Sequence, residues 1–127
     1  MNNFLDSSVI IEFVKNNPRA IKIVDSFSAN DIFFINTIVI SEVVYILQSK
    51  AKAELDDIIS TLSAFEFLTI NHEIIEKMYL FMQKYNLKPN DAFILATCKY
   101  YQIPNLVSLD SHFIEPCKAE NINLVND

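Results

Sequence analysis

Short apolar runs alternate along this chain with longer stretches of helical period, and that alternation narrows its fold more than any other feature. Residues 3–6, 31–36, 65–70, 106–109 and 122–125 read as strands. Between them the first helical stretch carries Val9, Ile10, Phe13 and Val14, capped by Ser7 or Ser8 and ended by Asn16-Asn17-Pro18. A second carries Ile21, Val24 and Phe27. A third runs over 38–49 with Thr37 as its cap, and a fourth over 51–62. Asn71 caps a fifth that reaches Tyr85 and is stopped by Asn86 and Pro89. A sixth covers 90–101. The 31–36 run is continuously apolar, as in a strand covered on both faces. Strands separated by helices indicate an α/β domain with a mainly parallel sheet and helices on both sides. In such folds ligands bind beyond the carboxyl ends of the strands, so acids at those ends are the first candidates for a site.

The chain has no glycine, where average usage of about 7% would supply about nine. A P-loop and a G-x-G-x-x-G dinucleotide fingerprint are thereby excluded, because both need glycine for close backbone approach to phosphate. Asparagine is expected to fill the left-handed turn positions instead. At 127 residues, 51% hydrophobic and 20% charged, the chain has the composition of a globular protein, and residues 1–127 are expected to form a single domain. No apolar run is long enough to span a bilayer. The opening Met1-Asn2-Asn3-Phe4-Leu5-Asp6 lacks the basic start of a secretory signal. Cys98 and Cys117 have no paired spacing and read as reduced, buried thiols of a cytoplasmic protein. The net charge of −6, with Arg19 as the one arginine, opposes unspecific nucleic-acid binding. A function on nucleic acid therefore requires metal ions or locally concentrated lysines.

Four carboxylates stand out. Asp6 and Asp110 each follow a strand; each also fits a helix cap or turn residue. Glu42 has Ile38, Val39, Tyr45 and Ile46 three and four residues away, which places it on an apolar helix face. An unpaired carboxylate there is costly, unless it snorkels or forms a salt bridge. Asp91 is followed at helical spacing by Ile94, Leu95 and Cys98, and it also suits the positive end of a helix dipole. Buried like charges raise one another's pKa, and a hard divalent cation with oxygen ligands resolves the conflict. His72 and His112 look isolated, as surface or cap residues, and nothing suggests zinc. The set reads as a carboxylate site for Mg²⁺ or Mn²⁺.

Residues 5–11 (LDSSVII), 41–47 (SEVVYIL), 87–97 (LKPNDAFILAT) and 106–113 (LVSLDSHF) resemble, in order and spacing, the four motifs of PIN-domain ribonucleases. The resemblance covers nearly the whole chain. It implies a three-layer α/β/α PIN-like domain with a mainly parallel central sheet and a magnesium-dependent endoribonuclease. Asp6, Glu42 and Asp91 correspond to the core acids and Asp110 to the fourth, as metal ligands and catalytic residues. Ser8 stands where the family often has a small polar residue near the metal, and Ser108 stands where threonine is common, so both are auxiliary candidates. His112 departs from the Asp, Asn or basic residue often found there, which leaves a fifth contributor open. A domain of this length resembles the toxin of VapBC-type toxin–antitoxin pairs. That implies an RNA substrate, a small antitoxin partner and a homodimer, with no membrane association.

The expected reaction is hydrolysis of an RNA phosphodiester by a metal-activated water, with one or two metals. A housekeeping RNA-processing nuclease and a catalytically idle PIN-like scaffold remain alternatives. A phosphoacceptor receiver domain fits poorly, since Asp6 is followed by Ser7 and the third strand leads to Asn71; a D-x-D phosphatase fails at Ser8.

Overall fold

The computed structural model describes residues 1–127. Five strands, β1 (Asn2–Leu5), β2 (Ile32–Ile35), β3 (Glu66–Phe67), β4 (Asn105–Val107) and β5 (Asn123–Val125), make one sheet in the order β3-β2-β1-β4-β5. Every pairing in it is parallel. Seven helices pack around it: α1 (Ser7–Val14), α2 (Pro18–Asp25), α3 (Thr37–Ser49), α4 (Leu55–Leu62), α5 (His72–Tyr85), α6 (Pro89–Tyr100) and α7 (Ile114–Ala119). Successive strand residues point to opposite faces. Phe4 and Leu5 in β1, and Leu106 and Val107 in β4, are nevertheless all buried, so helices cover both faces and the fold is a three-layer α/β/α sandwich. No helix is long and apolar enough to cross a membrane.

The sheet order positions the site. From β1 the chain adds β2 and β3 on one side, then returns to add β4 and β5 on the other. The reversal opens a crevice beyond the carboxyl ends of β1 and β4. Asp6 immediately follows β1, and Ser108 immediately follows β4.

Two polar networks hold these elements in register. At the opposite end of the strands, Asn105 Nδ2 donates to Asn3 Oδ1 (3.1 Å) and Asn123 Nδ2 donates to Asn105 Oδ1 (3.0 Å). These residues are paired across β1, β4 and β5, so a one-residue slip would break the chain of amides. Under the crevice, Asn36 Oδ1 accepts from Val39 N (3.1 Å) while its Nδ2 donates to Thr97 Oγ1 (2.9 Å). Both residues are fully buried. The bond ties the start of α3 to the middle of α6, the helices that carry Glu42 and Asp91.

Several local expectations are corrected. Asn36, not Thr37, caps α3. β3 spans only two residues, because it is an exposed edge and the chain leaves the sheet before Ile70. β2 is only partly covered, with Ile32 exposed and Phe33 and Phe34 half-buried. α4 starts at Leu55 and not at 51, since Lys52 takes a positive φ of 52° that no helix continues through. α7 was not expected: six residues including Pro116 are too few to show a period. Asn16, Asn86 and Asn121 do occupy left-handed positions, joined by Lys52 and Gln102.

Candidate metal centre

Asp6 sits at the N-terminus of α1, but its side chain makes no capping bond. Its Oδ2 instead accepts from the hydroxyls of Ser8 and Ser108, each at 2.7 Å. Each hydroxyl also accepts a backbone N–H: Leu109 N reaches Ser8 Oγ (3.1 Å) and Asp110 N reaches Ser108 Oγ (3.0 Å). The two serines thus relay backbone dipoles to the carboxylate and stitch the loop after β4 onto β1. Asp6 is only 4% exposed. Burial pushes its carboxyl up, the two serine hydroxyls pull it back, and Glu42 and Asp110 add to the rise.

Glu42 is half-buried, on the shoulder of α3's buried stripe. Val39, Val43 and Leu47 form that stripe, while Tyr45 is exposed, so the helix face is more open than the spacing suggested. Both carboxylate oxygens are held: Ser7 Oγ donates to Oε1 (3.1 Å) and Asn90 Nδ2 to Oε2 (3.3 Å). Asp91, in the first turn of α6, is backed by buried Ala92, Ile94 and Leu95. Its carboxyl is pushed up to about 6, first by burial and then by the charges of Asp110, Asp6 and Glu42; His112 opposes the rise. Asp110 does serve as a cap, since its Oδ1 accepts from His112 N (2.9 Å) at the start of a 3-10 turn, Ser111–Phe113.

All four expected acids therefore meet at the switch-point crevice. Glu42, Asp91 and Asp110 line an open cleft of about 410 Å³ together with Lys88, Pro89, Asn90 and His112. Asp6 lies buried beside them, with Ser8 and Ser108 on its inner oxygen. The carboxylate oxygens fit a hard cation, and Asp91, Asp110 and His112 each offer one ligand atom within 4.8 Å of the others.

Sequence reasoning missed three contributors. His112 is not isolated: its Nδ1 is 3.2 Å from Asp110 Oδ1 and 3.8 Å from Asp91 Oδ2. His72 does stand apart, paired only with Glu76 on α5. Ser7 read as a cap, yet its hydroxyl reaches across to α3; Asn90 carried no signal beyond standing next to Asp91.

An all-parallel α/β/α domain with a carboxylate cluster at its switch point defines the class: a parallel-sheet domain whose crevice has the donors to hold a divalent cation. Within that class, the family model of the PIN domain matches residues 4–119, and the chain belongs to the PIN-domain family. It is 34% identical over 127 residues to Ribonuclease VapC2 of Methanocaldococcus jannaschii, covering 87% of this chain and 85% of that protein. Ribonuclease VapC6 of the same organism is 31% identical over 140 residues, covering 88% and 90%. Among solved structures, a toxin–antitoxin complex from Klebsiella pneumoniae shares the fold with a TM-score of 0.75 at 22% identity, covering 88% of this chain and 90% of that one.

Proposed function

We propose that this chain is a divalent-metal-dependent endoribonuclease, working with Mg²⁺ or, as substitute, Mn²⁺, and that it is the toxin of a toxin–antitoxin pair. The observation that carries the reading is the convergence of Asp6, Glu42, Asp91 and Asp110 on one crevice, in a PIN domain related to two proteins named ribonucleases. Asp6, Glu42, Asp91 and Asp110 would hold the metal, which when bound polarises a phosphate oxygen and lowers the pKa of water. The chain's own residues prepare the rest. Ser8 and Ser108 load one oxygen of Asp6 and so aim the other. Ser7 and Asn90 fix the rotamer of Glu42. Asp110 is the more exposed of the two outer aspartates, with 30% of its side chain accessible against 18% for Asp91, and would orient the attacking water. Lys88 is the lysine lining the cleft and would meet a substrate phosphate on an otherwise acidic chain.

The antitoxin reading rests on two surfaces. The acidic crevice suits a basic side chain, through charge-assisted hydrogen bonds. A separate apolar groove of about 130 Å³, lined among others by Val9, Phe13, Val24, Phe27 and Phe65, suits one face of an amphipathic helix. Tyr79 and Leu80, exposed on α5, would supply apolar surface for a homodimer. The two buried, unpaired cysteines suit a reducing cytoplasm.

The test is incubation with a panel of tRNA, rRNA and mRNA, with Mg²⁺ or with EDTA, followed by mapping of the cut ends. The reading expects discrete metal-dependent cuts that Asp91→Asn abolishes. Metal-independent cutting refutes the metal centre, and no cutting of any RNA refutes the nuclease. Cleavage without growth arrest on expression, and without a small protein recovered from the host, favours a housekeeping nuclease over a toxin.

A further inference from the structure

Within the crevice the four acids are not equivalent. Asp91, Asp110 and His112 bring three donor atoms within 4.8 Å of one another, and neither Asp6 nor Glu42 joins that group. Neighbouring ligands of an octahedral ion with bonds of about 2.1 Å stand about 3 Å apart. The 3.2 Å and 3.8 Å from His112 Nδ1 to the two carboxylates are close to that spacing. Glu42 is committed differently, with both oxygens bonded to Ser7 and Asn90.

The imidazole is held in place without being buried. The backbone N–H of His112 donates to Asp110 Oδ1, and the next residue, Phe113, is fully buried in the core. The side chain itself remains 62% exposed and has no partners besides these two acids. A rotation that brings Nδ1 onto a shared ion therefore breaks no packing.

Resting on the metal-dependent reading above, we infer that His112 joins the acids that hold the divalent cation, its Nδ1 sharing the ion with Asp91 and Asp110 as a nitrogen ligand that tilts the site towards Mn²⁺ over Mg²⁺. Mg²⁺ is a hard ion that takes oxygen ligands and keeps its waters. Imidazole binds first-row transition metals better, so a nitrogen donor penalises Mg²⁺ relative to Mn²⁺. A site built from the four carboxylates alone lacks this nitrogen contribution to the preference.

Pulsed electron paramagnetic resonance of Mn²⁺ bound to the full chain reads this directly. Wild type should show ¹⁴N modulation from a coordinated imidazole, and so should His72→Ala, which removes the other histidine. His112→Ala should lose it. Labelling the unaltered protein with ¹⁵N-histidine should replace the ¹⁴N pattern, a check that needs no variant to fold. Removing mere outer partners of metal ligands already costs about 10- to 100-fold in affinity. Calorimetry should therefore show His112→Ala losing at least about tenfold for Mn²⁺ and less for Mg²⁺. Bound Mn²⁺ without ¹⁴N coupling, or coupling that survives in His112→Ala, overturns the ligand assignment and leaves the metal centre standing. Absence of any Mn²⁺ binding overturns both.

Discussion

Replacing Asp91 with asparagine should stabilise the metal-free protein at neutral pH, against the usual cost of altering a half-buried residue. The folded protein holds the Asp91 carboxyl at about 6, against an ordinary 3.8. Between those values the folded state binds more protons than the unfolded state, so stability falls as pH rises. The group costs nothing below about pH 4. Its full penalty is reached once pH passes the folded value, and amounts to about 3 kcal/mol at about 1.4 kcal/mol per pH unit. With 18% of the side chain exposed, salt screens part of this, and about 1–3 kcal/mol is the gain expected from Asp91→Asn at pH 7.5 in EDTA. For a chain of this size that is roughly 3–12 °C in Tm. The assay is thermal unfolding of both proteins in EDTA from pH 4 to 7.5. The two curves should converge at pH 4 and separate through pH 6. Saturating Mg²⁺ should then raise wild type by about 2.7 kcal/mol at 100 times Kd and the variant by much less. A variant less stable than wild type in EDTA at pH 7.5 would show Asp91 to be a structural N-terminal residue of α6, and a difference that does not change with pH would refute the crowding argument.

In cleavage assays, Asp6→Asn and Glu42→Gln should each abolish activity as Asp91→Asn does, whereas Asp110→Asn should retain part of it; full activity in either of the first two would remove that residue from the centre. Ser108→Ala takes a hydroxyl from Asp6 Oδ2 and strands Asp110 N, and should cost about 1–3 kcal/mol in chemical denaturation, with no change expected if a water takes over both bonds. Asn105→Val breaks the amide chain between β1 and β5 and leaves Asn3 Oδ1 without its partner, for about 1–3 kcal/mol; an unchanged denaturation midpoint would mean the ladder is decorative. Adding the host's antitoxin should stop cleavage, and Glu42→Gln should weaken that complex in calorimetry by removing one charged acceptor; equal affinity for both proteins would place the inhibitor's basic side chain elsewhere.

The order of strands and helices was legible in the chain because each buried element repeats its apolar residues at its own period. Phe4-Leu5 and Leu106-Val107 needed cover on both faces, and Ile94, Leu95 and Cys98 marked the inner side of α6. Asp6, Glu42, Asp91 and Asp110 stood out for the same reason: carboxylates next to apolar positions need something to offset their charge. Contacts between residues far apart in the chain have no period, and those were decided only by the tertiary structure. Capping was an equally good account of Asp6 until Ser108, over a hundred residues away, was placed on the same oxygen as Ser8. His112 looked isolated because its partners are split between its own turn and the start of α6. Ser7 and Asn90 became supports of Glu42 only when α1, α3 and α6 met at the crevice. The shortness of β3 and the existence of α7 follow from an edge position and a six-residue length, neither of which leaves a repeating pattern along the chain.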